Sequence, residues 1–583
     1  MEDNGSFIRS IIRKQGTLNI LALLVSVVGP IVCTSLTGAY FGRDGLAIMA
    51  LCSPLFLAAS FFGSLPSGAQ ILCSGFIAKD ELDNVDKVYS ATLVVTFAVA
   101  VAVSAVLLVL KIPLLTLVAG EISPELSVYY TYFVSYAFVT MFAYIPLYFS
   151  KVVGRPEIGL LMTVTMSAVS IVASLLLIRV LGISAIALGQ AIGTLVGLAA
   201  SMLRLRKYFT FKMPRFKQLY LLPMLAASSP LGLSRLYMLI RTILLNALFL
   251  SLGGSGALAV YGVVAMLQRF TTAAVNGVSQ TLVPLVGVFH EEQDTTSIKQ
   301  TMKSVLIYGN SLLLAIGIVL CVFRYQIAAA FGLTDDKALF AYAMPFYAVY
   351  IVLLLNASVL SSYYNATRHM FLANIIPFLQ ELALICAGAY TLAAVFGINQ
   401  IWAAFPISSA GTLVVLFAAL LAVKHKNRAL TIPLLQNSRL ERDGRYISFS
   451  VDSQIEQASV AAERISAFCE ENGVSPKQAM QISMSLEELI VLIINHNKRN
   501  NFSISVRLFL LYPLEEKTDR DGTIILRIRN AGDSFNAIEY YEKNIADDIE
   551  KSIELMGMKY IVQAANVIYY RQTFGVNSLV VLL

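Results

Sequence analysis

The sequence predicts an all-α polytopic membrane domain followed by a separate α/β domain. Of the 583 residues, 57% are hydrophobic and 14% are charged, whereas soluble proteins have about 25% charged residues. The mean hydropathy of the chain is +0.72. Residues 1–430 hold 27 Lys and Arg against 16 Asp and Glu, while residues 431–583 hold 16 against 20. A purely soluble, disordered or fibrous protein is therefore excluded, and the change of charge marks the domain boundary.

About twelve apolar segments are long enough to cross a bilayer, which takes roughly 20 residues. They lie near residues 18–40, 47–77, 88–110, 128–150, 158–180, 184–203, 228–252, 257–287, 304–326, 341–363, 371–396 and 400–423. Basic residues follow every second segment, among them Lys79, Arg155, Arg204, Arg368 and Lys424. By the positive-inside rule, we expect a multi-pass protein of the plasma membrane with both termini in the cytoplasm.

The membrane domain also repeats itself. Gly182-Ile183 recurs as Gly397-Ile398, and Gly193-Thr194-Leu195-Val196 recurs as Gly411-Thr412-Leu413-Val414. Six predicted spans precede the repeat, so the two halves run in the same direction across the membrane. The sequence thus predicts two parallel six-helix lobes, residues 1–217 and 218–430, and such halves usually enclose a central cavity and rock against each other.

The six cysteines predict neither a disulfide framework nor a zinc site. None forms a C-x-x-C pair, and five lie in apolar segments, where a free cysteine behaves as a small hydrophobe. We therefore expect no bound metal. The basic charge follows the loops of the membrane domain, so no nucleic-acid partner is expected, and the first apolar segment lacks a signal-peptide cleavage site.

Charged side chains inside predicted spans indicate a candidate transport site, since each costs about 2.5–3.5 kcal/mol on insertion scales. Arg241 in the seventh span and Glu381 in the eleventh are the leading candidates, as a pair that serves ion coupling or substrate binding. The alternative is a structural ion pair, or an arginine that reaches the interface. The other candidate substrate- or ion-binding residues are Arg269, Gln268, Asn276, Gln280 and Asn356 in the second half, and Thr34, Thr37 and Gln190 in the first. Arg235 is interpreted as structural.

Residues 431–444 form a predicted linker, and residues 445–583, here called the tail, have the composition of a soluble domain. Alternating side chains predict a strand over 446–451. Ser453 and Glu456 predict a capping box for a helix that ends near Glu471, and Ser475-Pro476 predicts the start of a second helix. Further strands are predicted at 503–511, 523–530, 566–573 and 577–583, with a helix near 545–565. The order predicts an α/β sandwich with helices on one face of a mixed sheet.

Several motifs in the membrane domain resemble those of the multidrug and toxic compound extrusion (MATE) transporters. They are Gly42-Arg43-Asp44-Gly45-Leu46-Ala47, Gly253-Gly254-Ser255-Gly256-Ala257-Leu258-Ala259-Val260-Tyr261, Pro284-Leu285-Val286-Gly287 and Gly182-Ile183-Ser184-Ala185. The resemblance covers residues 15–425. It implies a twelve-helix, two-lobed secondary transporter, not an enzyme, that exchanges organic cationic or amphipathic solutes for H⁺ or Na⁺.

Two positions depart from the pattern of that family. The carboxylate that the family commonly places in the first span is absent from Cys33-Thr34-Ser35-Leu36-Thr37-Gly38, and Met238 stands near the position of an acid often found in the seventh. Two alternatives stay open at this point. One is a flippase for lipid-linked saccharides, and the other is a transporter-like sensor that signals through its tail.

The tail resembles the ATP-binding domain of histidine kinases, and among these the anti-sigma-factor serine kinases. The resemblance implies nucleotide-binding roles for Glu488, Asn530, Gly532 and Gly557. Leu492 stands where the family has the Mg²⁺-binding asparagine, and leucine has no oxygen ligand. We therefore expect a degenerate, regulatory module that has lost phosphotransfer, with ATP as a candidate ligand and a cytosolic protein as a candidate partner.

Overall fold

The computed structural model describes most of the chain. The described residues are 5–78, 81–119, 123–214, 219–331, 333, 337–426, 432–435, 444–497, 502–511, 523–533, 535–545, 555–573 and 576–583.

The membrane domain consists of long apolar helices. They are α1 (Gly5–Phe62), α2 (Leu65–Ala78), α3 (Leu82–Val109), α4 (Lys111–Ala119), α5 (Pro124–Val152), α6 (Pro156–Leu181), α7 (Ser184–Leu205), α8 (Leu221–Glu291), α9 (Thr295–Val322), α10 (Arg324–Ala330), α11 (Lys337–Ala366), α12 (Met370–Phe378), α13 (Leu384–Phe396) and α14 (Ala404–Lys426). A π-helical turn, Leu379–Ala383, joins α12 to α13, and a 3-10 turn, Ile398–Ala403, precedes α14.

Eleven of these helical segments are long and apolar enough to cross a membrane, counted over the described residues. The predicted second span, 47–77, is not among them, and its helical path is interrupted at Gly63 and Ser64, between α1 and α2. The prediction of twelve spans is therefore not confirmed. Each of the other eleven predicted segments coincides with a helix of the structure.

The two halves of the membrane domain break their helices in the same way. Gly42 inside α1 has a φ of 62°, and Gly254 inside α8 has a φ of 64°. Glycine takes this left-handed backbone without a steric penalty, whereas a side chain would clash. A second shared break lies between α6 and α7 in the first half and directly after α13 in the second half. It has positive φ at Gly182 and Gly397. The sequence repeat thus corresponds to a repeat of backbone conformation.

The two lobes meet at one end of the helix bundle, here called the tail side, where residues 5–20 and the loops 153–155, 206–214 and 292–294 lie. Asn19 donates a hydrogen bond to Thr281 at 3.0 Å across the lobes. One apolar core runs through both lobes here, and it includes Ile20 and Cys73. In the other half of the N-terminal lobe, Cys52 and Tyr130 belong to a separate cluster. The described lobes are therefore closed against each other at the tail side.

The tail is a two-layer domain with a five-stranded antiparallel sheet. Its strands are β1 (Arg445–Asp452), β2 (Ser503–Leu511), β3 (Thr523–Asn530), β4 (Val567–Thr573) and β5 (Val576–Leu582), in the order β1-β2-β3-β5-β4. The helices are α15 (Glu456–Glu471), α16 (Pro476–Asn495), α17 (Ala537–Ile545) and α18 (Met556–Ala564). The prediction of a mixed sheet is wrong for the described strands. The chain does cross from β3 to a parallel β4, but β5 lies between them and pairs antiparallel with both.

One local prediction in the tail, the capping box at Ser453, needs correction. The hydroxyl of Ser453 accepts a hydrogen bond from the backbone N–H of Phe502 at 3.2 Å, so this side chain is used by the neighbouring strand instead of capping a helix. α15 accordingly begins at Glu456 without a side-chain cap. The helix predicted near 545–565 is confirmed over Met556–Ala564 as α18, and residues 546–554 of that prediction lie outside the described residues. The N-cap at Ser475 is confirmed, since its hydroxyl accepts from the N–H of Gln478.

The two faces of the tail sheet have different environments. The inner face packs with α15, α16 and α18 around a core that includes Val506, Leu508 and Leu526. On the outer face, alternate residues of β2 and β3 present Arg507, Arg527 and Arg529, which contact the loop at 292–294 of the membrane domain.

Gly68 of α2 lies where the two lobes are in close contact. A Cβ at this position would overlap the carbonyl oxygen of Met224 and lie 2.9 Å from the backbone nitrogen of Ser228, both in the other lobe. Because the facing atoms are backbone, we expect Gly68→Ala to lower the free energy of unfolding by about 1–3 kcal/mol. Thermal unfolding of the detergent-purified protein measures the change.

Gly262 in α8 is the matched control, because a Cβ there would meet no atom within 4 Å. Gly262→Ala should leave stability unchanged or raise it by about 0.5–1 kcal/mol. Equal stability of the two alanine variants would show that the lobes are not in close contact at Gly68.

Candidate functional site

A buried ion pair lies within the C-terminal lobe. Arg241 of α8 is 1% exposed and donates through Nη1 to Oε2 of Glu381, which is 8% exposed. The predicted pairing of these two residues is therefore present in the structure. Taking two charges out of water is costly, and removing only one of them leaves a buried charge without compensation.

Glu381 is held by an irregular stretch of helix. Pro377 has no N–H to bond the carbonyl of Ala373, four residues earlier, and the hydroxyl of Ser361 donates to that carbonyl at 2.8 Å instead. The π-helical turn Leu379–Ala383 follows at once and contains Glu381. π-helical turns are rare in proteins, and those that occur are often found at functional sites, because the wider turn changes the direction of a side chain.

Tyrosine hydroxyls and an amide surround the pair. Tyr350 and Tyr261 lie close to the Arg241 guanidinium, and Gln268 donates to the hydroxyl of Tyr350 at 3.1 Å. Tyr347, one helical turn from Tyr350, is hydrogen-bonded to Thr271. These residues come from α8, which contacts the π-turn, and from α11, which packs against α8. The site is thus a closed polar cluster in an apolar lobe.

The tyrosines of this cluster were not predicted from the sequence. The prediction relied on charged and amide side chains, and only Arg241, Glu381 and Gln268 of the cluster were among them. Tyr347 and Tyr350 lie three residues apart in an apolar segment, a spacing that places two hydroxyls on one helix face. That spacing was the available signal, but tyrosines at helical spacing are equally common in cores.

The other candidates in this lobe lie apart from the pair. Arg269 is exposed on α8, while Asn276 and Gln280 are half-buried on the same helix. Asn356 of α11 forms a reciprocal amide pair with Asn310 of α9, at 3.0 and 3.3 Å. The structure therefore does not bring these four residues to the Arg241–Glu381 cluster, and their predicted binding roles stay predictions.

The predicted N-terminal residues are bonded mainly to their own helices. Thr34 is exposed and donates to the carbonyl of Pro30, and Thr37 is buried and donates to that of Cys33, both at 2.9 Å. Gln190 is buried beside Cys33. These hydroxyls bond back to the preceding turn, as serine and threonine commonly do inside helices.

Arg235 connects the lobes. Its Nη1 donates to the carbonyl of Ser60, and its guanidinium lies 4.7 Å from the ring centroid of Tyr144, both in the N-terminal lobe. The interpretation of Arg235 as structural fits these contacts.

In the tail, the residues of the predicted nucleotide site are used by the protein itself. Oδ1 of Asn530 accepts from the N–H of Gly532 at 3.1 Å and from the amide of Asn577 at 2.8 Å. Glu488 accepts from the N–H of Met558 at 3.2 Å, in the first turn of α18, which contains Gly557. The start of a helix is where a phosphate would bind, and here a carboxylate of the chain takes that place.

Aromatic rings cover the same part of the tail. His496 stacks on Phe535 with a centroid distance of 4.3 Å, and Tyr540 packs edge-on against His496 at 4.5 Å. Leu492, predicted to stand where the resembled family has a Mg²⁺-binding asparagine, is half-buried on α16 and packs against the tail core.

Comparison with known proteins agrees with this two-lobed membrane transporter fold. The MatE family model matches residues 230–380. No curated protein sequence matches the chain. This match and the solved structures described below support a relation of the membrane domain to the MATE family.

Three solved structures illustrate the similarity. A mutant of the Vibrio cholerae MATE transporter VcmN is 17% identical, with a TM-score of 0.67 over 73% of this chain and 98% of that one. A MOP-superfamily transporter from Pyrococcus furiosus is 18% identical, with a TM-score of 0.64 over 72% and 97%. An outward-facing multidrug resistance MATE family transporter is 17% identical, with a TM-score of 0.64 over 72% and 97%. Identities this low establish the fold of the membrane domain. They do not test the likeness of the tail to an ATP-binding kinase domain, which stays a prediction.

A double-mutant cycle measures the energetic coupling of Arg241 and Glu381. We expect Arg241→Gln alone to lower the free energy of unfolding by about 3–5 kcal/mol, because Glu381 is then buried without its partner. Arg241→Gln combined with Glu381→Gln should be less destabilised than the sum of the single variants. Unfolding in mixed micelles provides the four free energies.

The amide pair Asn310–Asn356 is the control cycle. A hydrogen bond between neutral groups in a membrane protein contributes about 0.6 kcal/mol on average, so Asn310→Ala and Asn356→Ala should couple weakly. A coupling between Arg241 and Glu381 as weak as this would contradict a tight buried ion pair.

Proposed function

We propose that this protein is a secondary transporter that exports amphipathic organic compounds in exchange for H⁺ or Na⁺. The observation that carries the proposal is the buried Arg241–Glu381 pair on a π-turn inside a MATE-type lobe. In a dry environment the pair opens only when Glu381 is protonated or when an ion or ligand replaces one partner. Either event changes the charge in the lobe at the point where the helix is already irregular.

The charges at the tail side support a cytoplasmic location of this side. Arg204, Arg206 and Lys207 are exposed there at the end of α7. Excess Lys and Arg mark the cytoplasmic loops of membrane proteins, which supports a cytoplasmic location for both termini and the tail, with the lobes in the plasma membrane. A bundle closed at the tail side then faces outward, the state of one of its structural neighbours.

The pair also bears on the substrate. The binding pocket of the Pyrococcus furiosus neighbour is described as having reverse polarity, which suggests a different function for that protein. The polarity of the pocket can therefore differ within one fold. Here Arg241 is neutralised by Glu381, so the pair adds no net charge to the lobe. This supports amphipathic or weakly charged substrates over strongly anionic ones.

For the tail, we infer a regulatory role without phosphotransfer. The support comes from the hydrogen bonds that already occupy Asn530 and Glu488. An adenine ring that reached Asn530 would have to displace Asn577, and a phosphate at α18 would meet the carboxylate of Glu488.

Export driven by an imposed gradient tests the role of Glu381. Glu381→Gln keeps the size of the side chain but cannot release or bind a proton, so we expect gradient-driven efflux of a fluorescent dye from proteoliposomes to fall at least tenfold. Glu125→Gln, the same change at an exposed carboxylate in the first turn of α5, should keep wild-type efflux. Unchanged efflux by Glu381→Gln would remove this residue from ion coupling.

Nucleotide binding tests the tail. We expect calorimetric titration of the full-length protein with Mg-ATP to show no saturable heat at micromolar concentrations, because the groups that would read adenine and phosphate are bonded within the tail. Micromolar affinity with release of inorganic phosphate would overturn the degenerate interpretation. The Asn530→Ala variant would then show whether the binding uses this site.

A further inference from the structure

The contact between the tail and the membrane domain is built from buried charges. Asp294, at the start of α9, is fully buried and accepts from Arg507 and, at 2.8 Å, from Nη1 of Arg529. Arg529 also donates through Nη2 to Glu292. Arg507 and Arg529 are buried, with 2% and 5% of their residue surface exposed. Such a network is far from the weak surface pairs that contribute little to stability.

A third arginine and an aromatic ring complete the contact. Both terminal nitrogens of Arg527 lie within hydrogen-bond distance of the backbone carbonyl of Glu292, at 3.2 and 3.3 Å. The guanidinium of Arg529 lies 4.8 Å from the ring centroid of Phe289 at the end of α8. Three cations thus converge on one short loop, here called the acidic loop, residues 292–294.

The acidic loop is shaped to present both carboxylates to the tail. Gln293, between them, has a φ of 55°, a left-handed conformation that turns the chain sharply. Asp294 also accepts from the N–H of Ser297 at 2.9 Å, so it caps α9 while it binds the arginines. The loop is therefore rigidly joined to two helices of the C-terminal lobe.

The tail reaches the N-terminal lobe as well. β2, which carries Arg507, contacts α1. Val576 of β5 belongs to the same apolar core as Ile8, Ile11 and Ile12 at the start of α1. One rigid sheet therefore touches both lobes at the side where they are closed against each other.

The charges of the contact persist at physiological pH. Burial alone would raise the pKa of Asp294, but the attraction of Arg507 and Arg529 outweighs it and holds this pKa below its usual range. A lowered carboxylate pKa stabilises the folded contact above the ordinary value of about 3.9, and the contribution is lost only as pH falls through the lowered pKa. Burial and repulsion by Arg529 lower the pKa of Arg527 to about 10, still far above neutrality.

Arg507, Arg527 and Arg529 on the outer face of the tail sheet are here called the arginine face. We propose that the arginine face is a clamp that holds the two lobes in the state closed at the tail side, through its contact with the acidic loop. The proposal rests on the proposed transport function for its meaning, since rocking of the lobes would separate α1 from the acidic loop. A sheet bonded to one and packed on the other resists this separation. Release of the arginine face then favours opening toward the tail.

The test compares distances in the full-length protein. Spin labels at Lys207→Cys and Lys424→Cys, exposed on opposite lobes at the tail side, report the separation of the lobes in a background without native cysteines. A second pair, Lys299→Cys with Lys543→Cys, reports docking of the tail. We expect Arg529→Glu to undock the tail and to raise the population with widely separated lobes at least tenfold.

Two further variants keep the outcome clear. Asp294→Asn removes the charge but keeps an acceptor that caps helices well, so it should act in the same direction if Arg529→Glu fails to fold. Lys559→Glu makes the same charge change at an exposed position of α18, on the other face of the sheet. This variant should leave both distances unchanged.

Undocking without a change in lobe separation would overturn the clamp, and so would a tail that stays docked in both charge variants. The distances are measured without substrate, so they respond to the clamp even if no compound is transported. Failure of the efflux experiment and failure of the clamp are therefore separate results.

Discussion

A charge removed from water has to find an opposite charge, and this constraint organises both unusual regions of the molecule. In the membrane domain, Arg241 and Glu381 satisfy each other inside one lobe. At the tail side, three arginines of the sheet converge on Glu292 and Asp294. In each case a helix irregularity positions the acid. For Glu381 it is the π-turn after Pro377, and for Asp294 it is the left-handed turn at Gln293. The energy of a buried charge is high enough to fix these local shapes.

The two charged regions differ in what surrounds them. The Arg241–Glu381 pair lies among tyrosine hydroxyls within a single lobe, so opening it changes that lobe without disturbing the contact between lobes. The arginine face instead links a separate domain to the acidic loop of one lobe, and the same sheet contacts α1 of the other lobe. A transporter with both features has one element suited to ion coupling and another suited to control of the conformational cycle. The tail fits the second role, because the polar groups of Asn530 and Glu488 are bonded inside the domain and its outer face contacts the acidic loop.

The closed tail side gives these elements a common setting. Asn19 and Thr281 bond across the lobes, Gly68 admits the backbone of the other lobe, and Arg235 reaches the carbonyl of Ser60. The tail lies over this closure and contacts α1 as well as the acidic loop. Control of the closure from the tail side requires no catalytic activity in the tail. Such control requires only that another acidic group compete with the acidic loop for the arginine face.

The sequence alone determined eleven of the twelve predicted membrane segments, the repeat and most strands of the tail, because the hydrophobic pattern is a local property of the chain. The sequence predicted the bounds of β2 and β3, whereas it did not predict the shared helix break at Gly42 and Gly254. It also suggested the pairing of Arg241 with Glu381, since a charge in an apolar span needs a partner. It missed the tyrosines around that pair and misassigned Ser453. The contact of Arg507, Arg527 and Arg529 with the acidic loop was decided only by tertiary structure. Arginines on an exposed strand face look like ordinary solvated residues until another domain, more than 200 residues away in sequence, covers them with opposite charge.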